Sequence, residues 1–234
     1  MPEKEERGAV TGPCIRIVEN GPYIVTGGVP LWEYTILSDR MGTAVDYRPE
    51  RQYPSPQTYS LCRCGKSKHM PYCDGEHAHV GFVGRETASR KSFAEQAVIY
   101  RGPGLILEDV EHLCMLARFC HLGGDTWSLI EDSDDPKARE LAIRGAVNCP
   151  AGRLVVRDAR TRELIEPKLA PSIYMLRDDL TKSSGALWVR GGIPIFSADG
   201  HTYEIRNRVT LCRCGKSSNM PFCDASHLTY RIRD

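Results

Sequence analysis

Short runs in which apolar and polar residues alternate make up both ends of this 234-residue chain, and glycine, proline or asparagine bounds most of them. Alternation of this kind predicts β-strands that are buried on one face. The turn signal Asn20-Gly21-Pro22 joins the first two strands into a hairpin, whereas residues 38–56 contain three prolines and predict a loop. The strands are predicted at 14–18, 23–26, 31–37 and 58–61, with a short closing strand at 80–82.

The middle of the chain has a partly helical pattern. Asp109 can cap a helix that runs to about Phe119. The sequence Asp134-Asp135-Pro136 predicts the start of a second helix, which should end before Cys149-Pro150. Strands are predicted around these helices at 97–100, 154–156, 164–165 and 173–176. This segment is therefore expected to be an α+β insert.

The strand-rich pattern occurs twice. Residues 21–32 (GPYIVTGGVPLW) correspond to 185–196 (GALWVRGGIPIF), and residues 61–77 correspond to 211–227 with twelve of seventeen positions identical. We therefore predict two small β-rich units, at 12–83 and 185–233, on either side of an α+β insert at 90–178. Units of this size bury little core alone, so we expect them to pack as a pseudo-dimer within one monomer. The offset is 164 residues at the glycines and 150 at the cysteines, which places about fourteen extra residues in the loop 38–56.

Charge and composition narrow the classes of function. The net charge of +1 gives no electrostatic reason to expect a nucleic acid partner, and no apolar run approaches the roughly 20 residues that span a membrane. The charged tail at 1–12 resembles neither a signal peptide nor a transit peptide, which predicts a cytoplasmic protein. In a reducing compartment, ten cysteines favour metal or redox chemistry over a disulfide scaffold. No catalytic triad, phosphate loop or paired acid site stands out, so an enzyme is not expected.

Each copy of the seventeen-residue segment places three thiols and one imidazole at the spacing C-x-C-x8-C-x3-H. Zinc accepts three cysteines and one histidine, although zinc sites usually take C-x2-C pairs. A two-iron cluster needs two protein ligands on each iron, and histidine can replace cysteine. In that case the first two cysteines would hold one iron, and the third cysteine and the histidine the other. The candidate ligands are Cys62, Cys64, Cys73 and His77 (site 1) and Cys212, Cys214, Cys223 and His227 (site 2).

The full pattern, C-x-C-x2-S-x3-P-x-C-D-G-x-H, resembles that of the CDGSH iron–sulfur domain family. The non-ligand positions are filled by Ser67, Pro71, Asp74 and Gly75 and by Ser217, Pro221 and Asp224, while Ala225 and Glu76 depart from the family pattern. The resemblance covers residues 12–83 and 185–233 and implies a [2Fe–2S] cluster at each site. It also implies a β-rich dimer with exchanged strands, here supplied by one chain.

Side chains next to the ligands also predict chemistry. Arg63 and Arg213 lie between the first two thiols, and Lys66 and Lys216 follow them, so they either offset the negative charge of a cluster or are simply solvated. The serines of the motif either bond a cluster sulfur or cap a helix, and the aspartates are expected to be helix N-caps. Imidazole can be protonated near a pKa of roughly 6.5, so we expect the histidine ligands to make the clusters acid-labile.

Three further cysteines lie in the insert, at Cys114, Cys120 and Cys149. Their spacing and the Cys-Pro sequence resemble small ferredoxins that hold a [3Fe–4S] cluster, with Ala117 where a [4Fe–4S] ferredoxin has another cysteine. The alternative is that they are small buried hydrophobic side chains. His112 and His121 are alternative fourth ligands or plain polar residues. Cys14 is expected to be structural.

The sequence thus predicts an iron–sulfur protein with two [2Fe–2S] clusters that exchanges electrons with a redox partner protein. The insert adds a candidate third cluster, of the [3Fe–4S] or [4Fe–4S] type. Two alternatives remain at this point. One is storage of clusters and their delivery to an apo-acceptor protein, and the other is a structural zinc protein.

Overall fold

The computed structural model describes residues 12–233, so the predicted tail at 1–12 lies almost wholly outside the described part. The strands are β1 (Cys14–Ile17), β2 (Tyr23–Thr26), β3 (Leu31–Ser38), β4 (Ala44–Tyr53), β5 (Thr58–Leu61), β6 (Val98–Arg101), β7 (Leu105–Asp109), β8 (Leu154–Asp158), β9 (Leu164–Ile165), β10 (Ser172–Asp178), β11 (Ser184–Arg190), β12 (Ile195–Phe196) and β13 (Arg208–Leu211). The helices are α1 (Glu76–His79), α2 (Phe93–Gln96), α3 (Thr126–Glu131), α4 (Pro136–Val147) and α5 (Ser226–Thr229), with 3-10 turns at Glu111–Leu113 and Phe119–His121.

Two sheets hold the strands of the repeated units. The first has the order β12-β1-β2-β5 and the second the order β13-β11-β10-β3-β4. Each contains an antiparallel hairpin with one further antiparallel strand, β5 on β2 or β13 on β11. The remaining neighbour of each hairpin is parallel and comes from the other half of the chain, because β12 pairs with β1 and β3 pairs with β10. Each sheet therefore contains strands from both ends of the sequence.

The alternating apolar side chains of these strands form one core. Ile15, Val25 and Leu61 of the first sheet share a buried cluster with Ile173 and Leu211 of the second, and each is 1% exposed or less. Alternation along β2, with every second residue buried, gives one face to this core. Burial of apolar surface from both sheets is the main term that holds the two halves together.

The insert has its own sheet and helices. Its sheet has the order β6-β7-β8-β9, and Leu105, Leu154 and Ala142 form a cluster between the sheet and α4. The helix begins as predicted, because the Asp135 side chain accepts hydrogen bonds from two backbone amides and Pro136 occupies the first turn. It ends at Val147, which agrees with the prediction that it would end before Cys149-Pro150. The fold is mixed α and β, with most of its regular structure in sheets, as the α+β class predicts.

Three predicted elements are wrong. The loop predicted at 38–56 contains the ten-residue strand β4. This strand lies at the edge of its sheet and pairs with β3 on one side only. Pro49 is tolerated there because its missing amide hydrogen is not needed on the open side, and the register of the pairing shifts beside it. Residues 80–82 form a turn that follows α1 instead of a strand.

The helix predicted from Asp109 is also absent, since 111–113 and 119–121 form only 3-10 turns. The carboxylate of Asp109 accepts hydrogen bonds from Arg153 and Trp127 instead of capping a helix. Leu116 and Arg118 have φ of 60° and 68°, in the left-handed region that interrupts a right-handed helix.

The domain boundaries at 83–90 and 178–185 stay a prediction. The second of them falls in the turn between β10 and β11. Within residues 12–233, no helix is both long and apolar enough to span a lipid bilayer.

Candidate metal centres

Each candidate site begins where a strand ends. The chain leaves β5 at Leu61 and enters site 1 at Cys62, whose amide donates to Pro71 O at 2.8 Å. The amide of Cys73 donates to Ser60 O at 3.0 Å, so the loop closes against the strand that delivered it. Site 2 repeats this closure after β13, with Cys212 N to Pro221 O at 2.8 Å and Cys223 N to Thr210 O at 2.9 Å.

The serines and aspartates of the motif brace these loops from within. Ser67 Oγ donates to Tyr72 O at 2.6 Å and accepts from the amide of residue 69, while the Asp74 carboxylate accepts from the amides of Lys68 and Glu76. Ser217 and Asp224 make the same bonds in site 2. The N-cap positions of α1 and α5 are the following residues, Gly75 and Ala225. The aspartates therefore hold the turn that leads into each helix and do not occupy the predicted cap position.

In site 1, the candidate ligands come together in two pairs. Cys62 Sγ and Cys64 Sγ are 3.6 Å apart, and Cys73 Sγ is 3.3 Å from His77 Nδ1. His77 lies in the first turn of α1, and Cys73 lies just before that helix, two residues ahead of its N-cap Gly75. In the part of the chain that the structure describes, no three side chains of His, Cys, Asp or Glu gather as a single-ion site requires.

Site 2 repeats both pairs, at 3.5 Å between Cys212 and Cys214 and 3.4 Å between Cys223 and His227. The arrangement in each site thus suits two metal atoms, each with two protein ligands.

The two sites differ in burial. Cys223 and His227 are 2% and 3% exposed, whereas Cys73 and His77 are partly exposed. Burial, and next the positive charge of Arg213, lower the pKa of His227 to about 4. The imidazole of site 2 is therefore held neutral, which is the form that binds a metal.

Several thiols of the two sites have raised pKa values. Burial, with the neighbouring Cys62, raises the pKa of Cys64 to about 11, and burial also raises the pKa values of Cys73 and Cys223. In site 2 the hydrogen bond between Cys212 and Cys214 lowers the pKa of the first and raises that of the second. Binding of a metal must therefore displace protons from the thiols whose pKa is raised.

Arg63 and Arg213 are buried, at 1% and 2% exposure, which excludes their interpretation as solvated charges. Arg63 donates to the backbone carbonyls of Gly21 and Val18 and lies over the rings of Tyr23 and Phe82. Its Nη1 atom has no hydrogen-bond partner among residues 12–233. A buried cation that is bonded mainly to carbonyls and rings is costly unless negative charge lies nearby. By contrast, Lys66 and Lys216 are exposed.

The two sites meet back to back, a contact that the sequence did not predict. Gly65 and Gly215 follow the C-x-C pairs and have φ of 72° and 70°. A Cβ atom on Gly65 would lie 2.7 Å from Cys214 O, and one on Gly215 would lie 2.6 Å from Cys64 O. Only glycine allows the backbones to approach this closely. The identical glycine in both copies was the sequence signal, because a repeated glycine marks a positive φ or a close approach.

The three cysteines of the insert come from separate elements. Cys114 follows the first 3-10 turn, Cys120 lies in the second, and Cys149 lies just beyond α4. Burial, and next the proximity of Cys149 and Cys114, raise the pKa of Cys120 to about 12. Burial lowers the pKa of Arg153, but hydrogen bonds with Asp109 and Cys114 outweigh it and raise that pKa. Cys120 and Cys149 pack against the same apolar cluster, and the guanidinium of Arg153 lies beside Cys114. Among residues 12–233, however, the three thiols do not gather as closely as a single-ion site requires.

The other candidate side chains lie elsewhere. His112 and His121 are exposed, which favours their interpretation as plain polar residues. Ala117 is buried, at 6% exposure. Cys14 is fully buried in β1, with its sulfur 3.1 Å from Thr26 Oγ1, as expected of a structural residue.

Comparison with known proteins identifies both parts of the chain. The family described as iron-binding zinc finger of the CDGSH type matches residues 20–78 and 184–228. The family described as divergent 4Fe-4S mono-cluster matches residues 100–159. No curated protein and no solved structure gave a significant match. The chain therefore contains two segments that match the CDGSH iron-binding family, with a segment that matches a divergent 4Fe-4S family between them, and these matches support an iron–sulfur protein.

Proposed function

We propose that this protein transfers electrons through a [2Fe–2S] cluster at each CDGSH site. The observation that carries this proposal is the pairing of the ligands. Cys62 with Cys64, and Cys73 with His77, form two separate close pairs, and site 2 repeats them. A two-iron cluster requires two protein ligands on each iron, whereas a structural zinc ion is coordinated tetrahedrally by four ligands.

The surroundings of the sites fit a negatively charged group. Arg63 is buried with one guanidinium nitrogen unpartnered among the described residues, and its bonded partners are carbonyl oxygens. Thiolate ligands give a two-iron cluster negative charge, which would compensate that cation. When bound, such a cluster supplies a one-electron redox couple, and its potential depends on histidine ligation and nearby hydrogen-bond donors.

We infer that the insert holds a third cluster through Cys114, Cys120 and Cys149. We infer its type from position 117, where a buried alanine stands in place of the second cysteine of a [4Fe–4S] ferredoxin. Three thiolates suit a [3Fe–4S] centre, and a [4Fe–4S] centre would need one further ligand that is not a cysteine. The exposure of His112 and His121 argues against either histidine in that role.

We also infer that the two units form an intramolecular pseudo-dimer, so that the protein works as a monomer. The reciprocal pairing of β12 with β1 and of β3 with β10 supports this arrangement. The expected partner is a redox protein of the reducing cytoplasm, and neither nucleic acid nor a membrane is involved. We assign no enzymatic activity.

Storage and delivery of clusters is the second candidate function. It is favoured by the partial exposure of Cys73 and His77, because an accessible histidine ligand is the one most easily lost to acid or to an acceptor. Replacing either histidine ligand by cysteine should make that cluster more resistant to acid and lower its reduction potential. Equal acid lability in the His77→Cys variant and the wild type, followed by visible absorbance, would contradict the role of the imidazole.

Metal analysis and spectroscopy test the proposed function directly. The purified chain should be coloured, with about four irons if only the CDGSH sites are filled and about seven if a [3Fe–4S] centre is present. EPR of oxidised and reduced samples should show reversible one-electron reduction. A colourless chain with zinc at both sites would refute the proposal. Rapid loss of iron to an apo-ferredoxin, without reversible reduction, would instead support cluster delivery.

A further inference from the structure

The two CDGSH sites have nearly the same sequence but different surroundings. Cys223 and His227 of site 2 are 2% and 3% exposed, whereas their counterparts Cys73 and His77 are partly exposed. The ligands and their spacing are identical in the two copies, so they do not cause this difference. It must come from what packs against each loop.

The insert packs against site 2. Cys223 lies in the same apolar cluster as Met115 and Ala117, which stand between the first two cysteines of the insert. The side chain of Asn219, in the loop of site 2, donates to His112 O at 3.2 Å. The insert therefore covers the edge of site 2 that corresponds to the open edge of site 1.

The segment that follows site 1 also wraps around site 2. The amides of Thr87 and Ala88 both donate to Met220 O at 2.8 Å, and Thr87 Oγ1 donates to Ser218 O at 2.7 Å. Three hydrogen bonds from one short segment thus hold the loop of site 2.

A tyrosine of the first unit completes the enclosure. Tyr23 is fully buried, and its hydroxyl donates to Cys212 O at 2.7 Å and to Pro221 O at 3.2 Å. The corresponding residue of the second unit is Leu187, which has no hydroxyl to donate. This difference between the repeats fixes the backbone of one site only.

Site 2 also lies between the insert and site 1. On one side it contacts the insert through Cys223 and Asn219, and on the other its Gly215 meets the backbone of Cys64. The contacts therefore run from the insert to site 2 and from site 2 to site 1, and the outermost site in this order is the one with partly exposed ligands.

We propose that the two sites have different roles: site 1, whose ligands are partly exposed, exchanges electrons with a partner protein and is the site more open to the outside, and site 2 is an enclosed relay between the insert and site 1. This proposal rests on the proposed function. Cys73 and His77 would hold a cluster at site 1 that could supply one electron to an oxidised partner protein, which would thereby be reduced by one electron, and their partial exposure would let that partner approach. The enclosed ligands of site 2 keep that site filled during the exchange.

Loss of iron to the anionic chelator bathophenanthroline disulfonate tests the proposal on the reduced holoprotein. The visible absorbance of the two CDGSH sites should decay in two phases of about equal amplitude, with site 1 at least about tenfold faster. The His77→Cys variant marks site 1, because replacing the histidine changes the spectrum of that site alone. If this variant fails to fill site 1, the remaining signal belongs to site 2 and should decay slowly.

The Tyr23→Phe variant tests the cause of the slow phase. Loss of one buried hydrogen bond to site 2 should accelerate the slow phase about two- to tenfold and leave the fast phase unchanged. Tyr59→Phe is the matched control, because Tyr59 is also buried and its hydroxyl donates at 2.7 Å to Val29 O, which belongs to neither site. That variant should leave both phases unchanged.

A single phase for both sites, or a fast phase that belongs to site 2, would overturn the proposal. So would equal behaviour of the two tyrosine variants. Iron analysis before chelation separates this failure from that of the proposed function. A chain that holds zinc in place of iron refutes the proposed function and the division of roles together, whereas a fully loaded chain that empties uniformly refutes only the division of roles.

Discussion

The contact between Gly65 and the backbone of Cys214 predicts that damage to one metal site will reach the other. We consider the substitution Gly65→Ala, which changes only site 1 in sequence. Its new Cβ would lie 2.7 Å from Cys214 O and 2.9 Å from Cys214 C and Cα. Backbone atoms cannot move aside as the end of a side chain can, so Cys214, a candidate ligand of site 2, must move.

The cost has two parts. Alanine in the left-handed conformation of Gly65, at φ 72°, costs about 1–2 kcal/mol. Overlap with a packed neighbour adds about 1–3 kcal/mol. Gly75 separates the two terms, because it has φ of 90° but no atom within 4 Å of its Cβ position. Gly75→Ala should therefore cost only about 1–2 kcal/mol.

Thermal unfolding and site occupancy measure the difference between these variants. For a chain of this size, about 1–3 kcal/mol corresponds to a Tm lower by roughly 2–12 °C in Gly65→Ala than in Gly75→Ala. Gly65→Ala should also reduce the iron content of site 2, identified by its slow release to a chelator, while Gly75→Ala leaves site 2 filled. If Gly65→Ala has the same Tm as Gly75→Ala and leaves the iron content of site 2 unchanged, the close contact between the sites is refuted.

Three further outcomes follow from single side chains. Glu33, buried in β3, bonds Arg177 and Arg51, whose side chains are partly exposed, so Glu33→Gln should cost about 1–2 kcal/mol at neutral pH by urea unfolding. Burial opposes ionisation of Glu33, but its hydrogen bonds outweigh burial and lower its pKa. The stabilisation by ionised Glu33 is therefore complete above the ordinary glutamate pKa and is lost as the pH falls through the lowered pKa. Below that pH, the wild type and the variant should have the same free energy of unfolding. Ala225 has φ of 68°, so Ala225→Gly should raise the Tm by about 2–4 °C, and an unchanged Tm would mean that its methyl group contributes equal packing. Ala117→Cys should convert a [3Fe–4S] centre into a [4Fe–4S] centre, adding about one iron per chain and removing the EPR signal of the oxidised three-iron form; an unchanged iron content would contradict the cluster proposed for the insert.

Short sequence signals correctly predicted the elements that depend only on neighbouring residues. The Asn20-Gly21-Pro22 turn gave the β1–β2 hairpin, and Asp135 with Pro136 gave the start of α4. The strand β4 could not be predicted from its residues, because Pro49 is excluded from central strands and tolerated at an edge. Whether a strand lies at an edge depends on the order of the sheet, which is not a local property.

The predicted helix after Asp109 failed for a related reason. The carboxylate that could have capped a helix is used in a buried ion pair with Arg153, whose side chain also bonds Cys114. The local sequence favoured a helix in this segment. Tertiary contacts outweigh that local preference, and the segment forms two short 3-10 turns instead.

The candidate ligands could be named from the sequence because thiols and imidazole recur at one spacing, and the structure brings them together in pairs. Their unequal burial could not be predicted, since the two motifs are nearly identical and the difference arises from Met115, Ala117 and Asn219 in contacts between distant segments. The Tyr23 and Leu187 difference was visible in the aligned repeats, but its meaning depends on where the hydroxyl points.

The exchange of strands between the two halves has a consequence for fragments of this chain. A fragment that ends before β10 would leave β3 without one neighbour, and β1 would lack β12. Exposed strand edges of this kind pair with another molecule. Half-length chains should therefore associate in pairs, with an affinity that depends on their concentration. Covalent joining of the two halves replaces that dependence with a fixed effective concentration, so assembly of the paired sheets no longer depends on how much protein the cell contains.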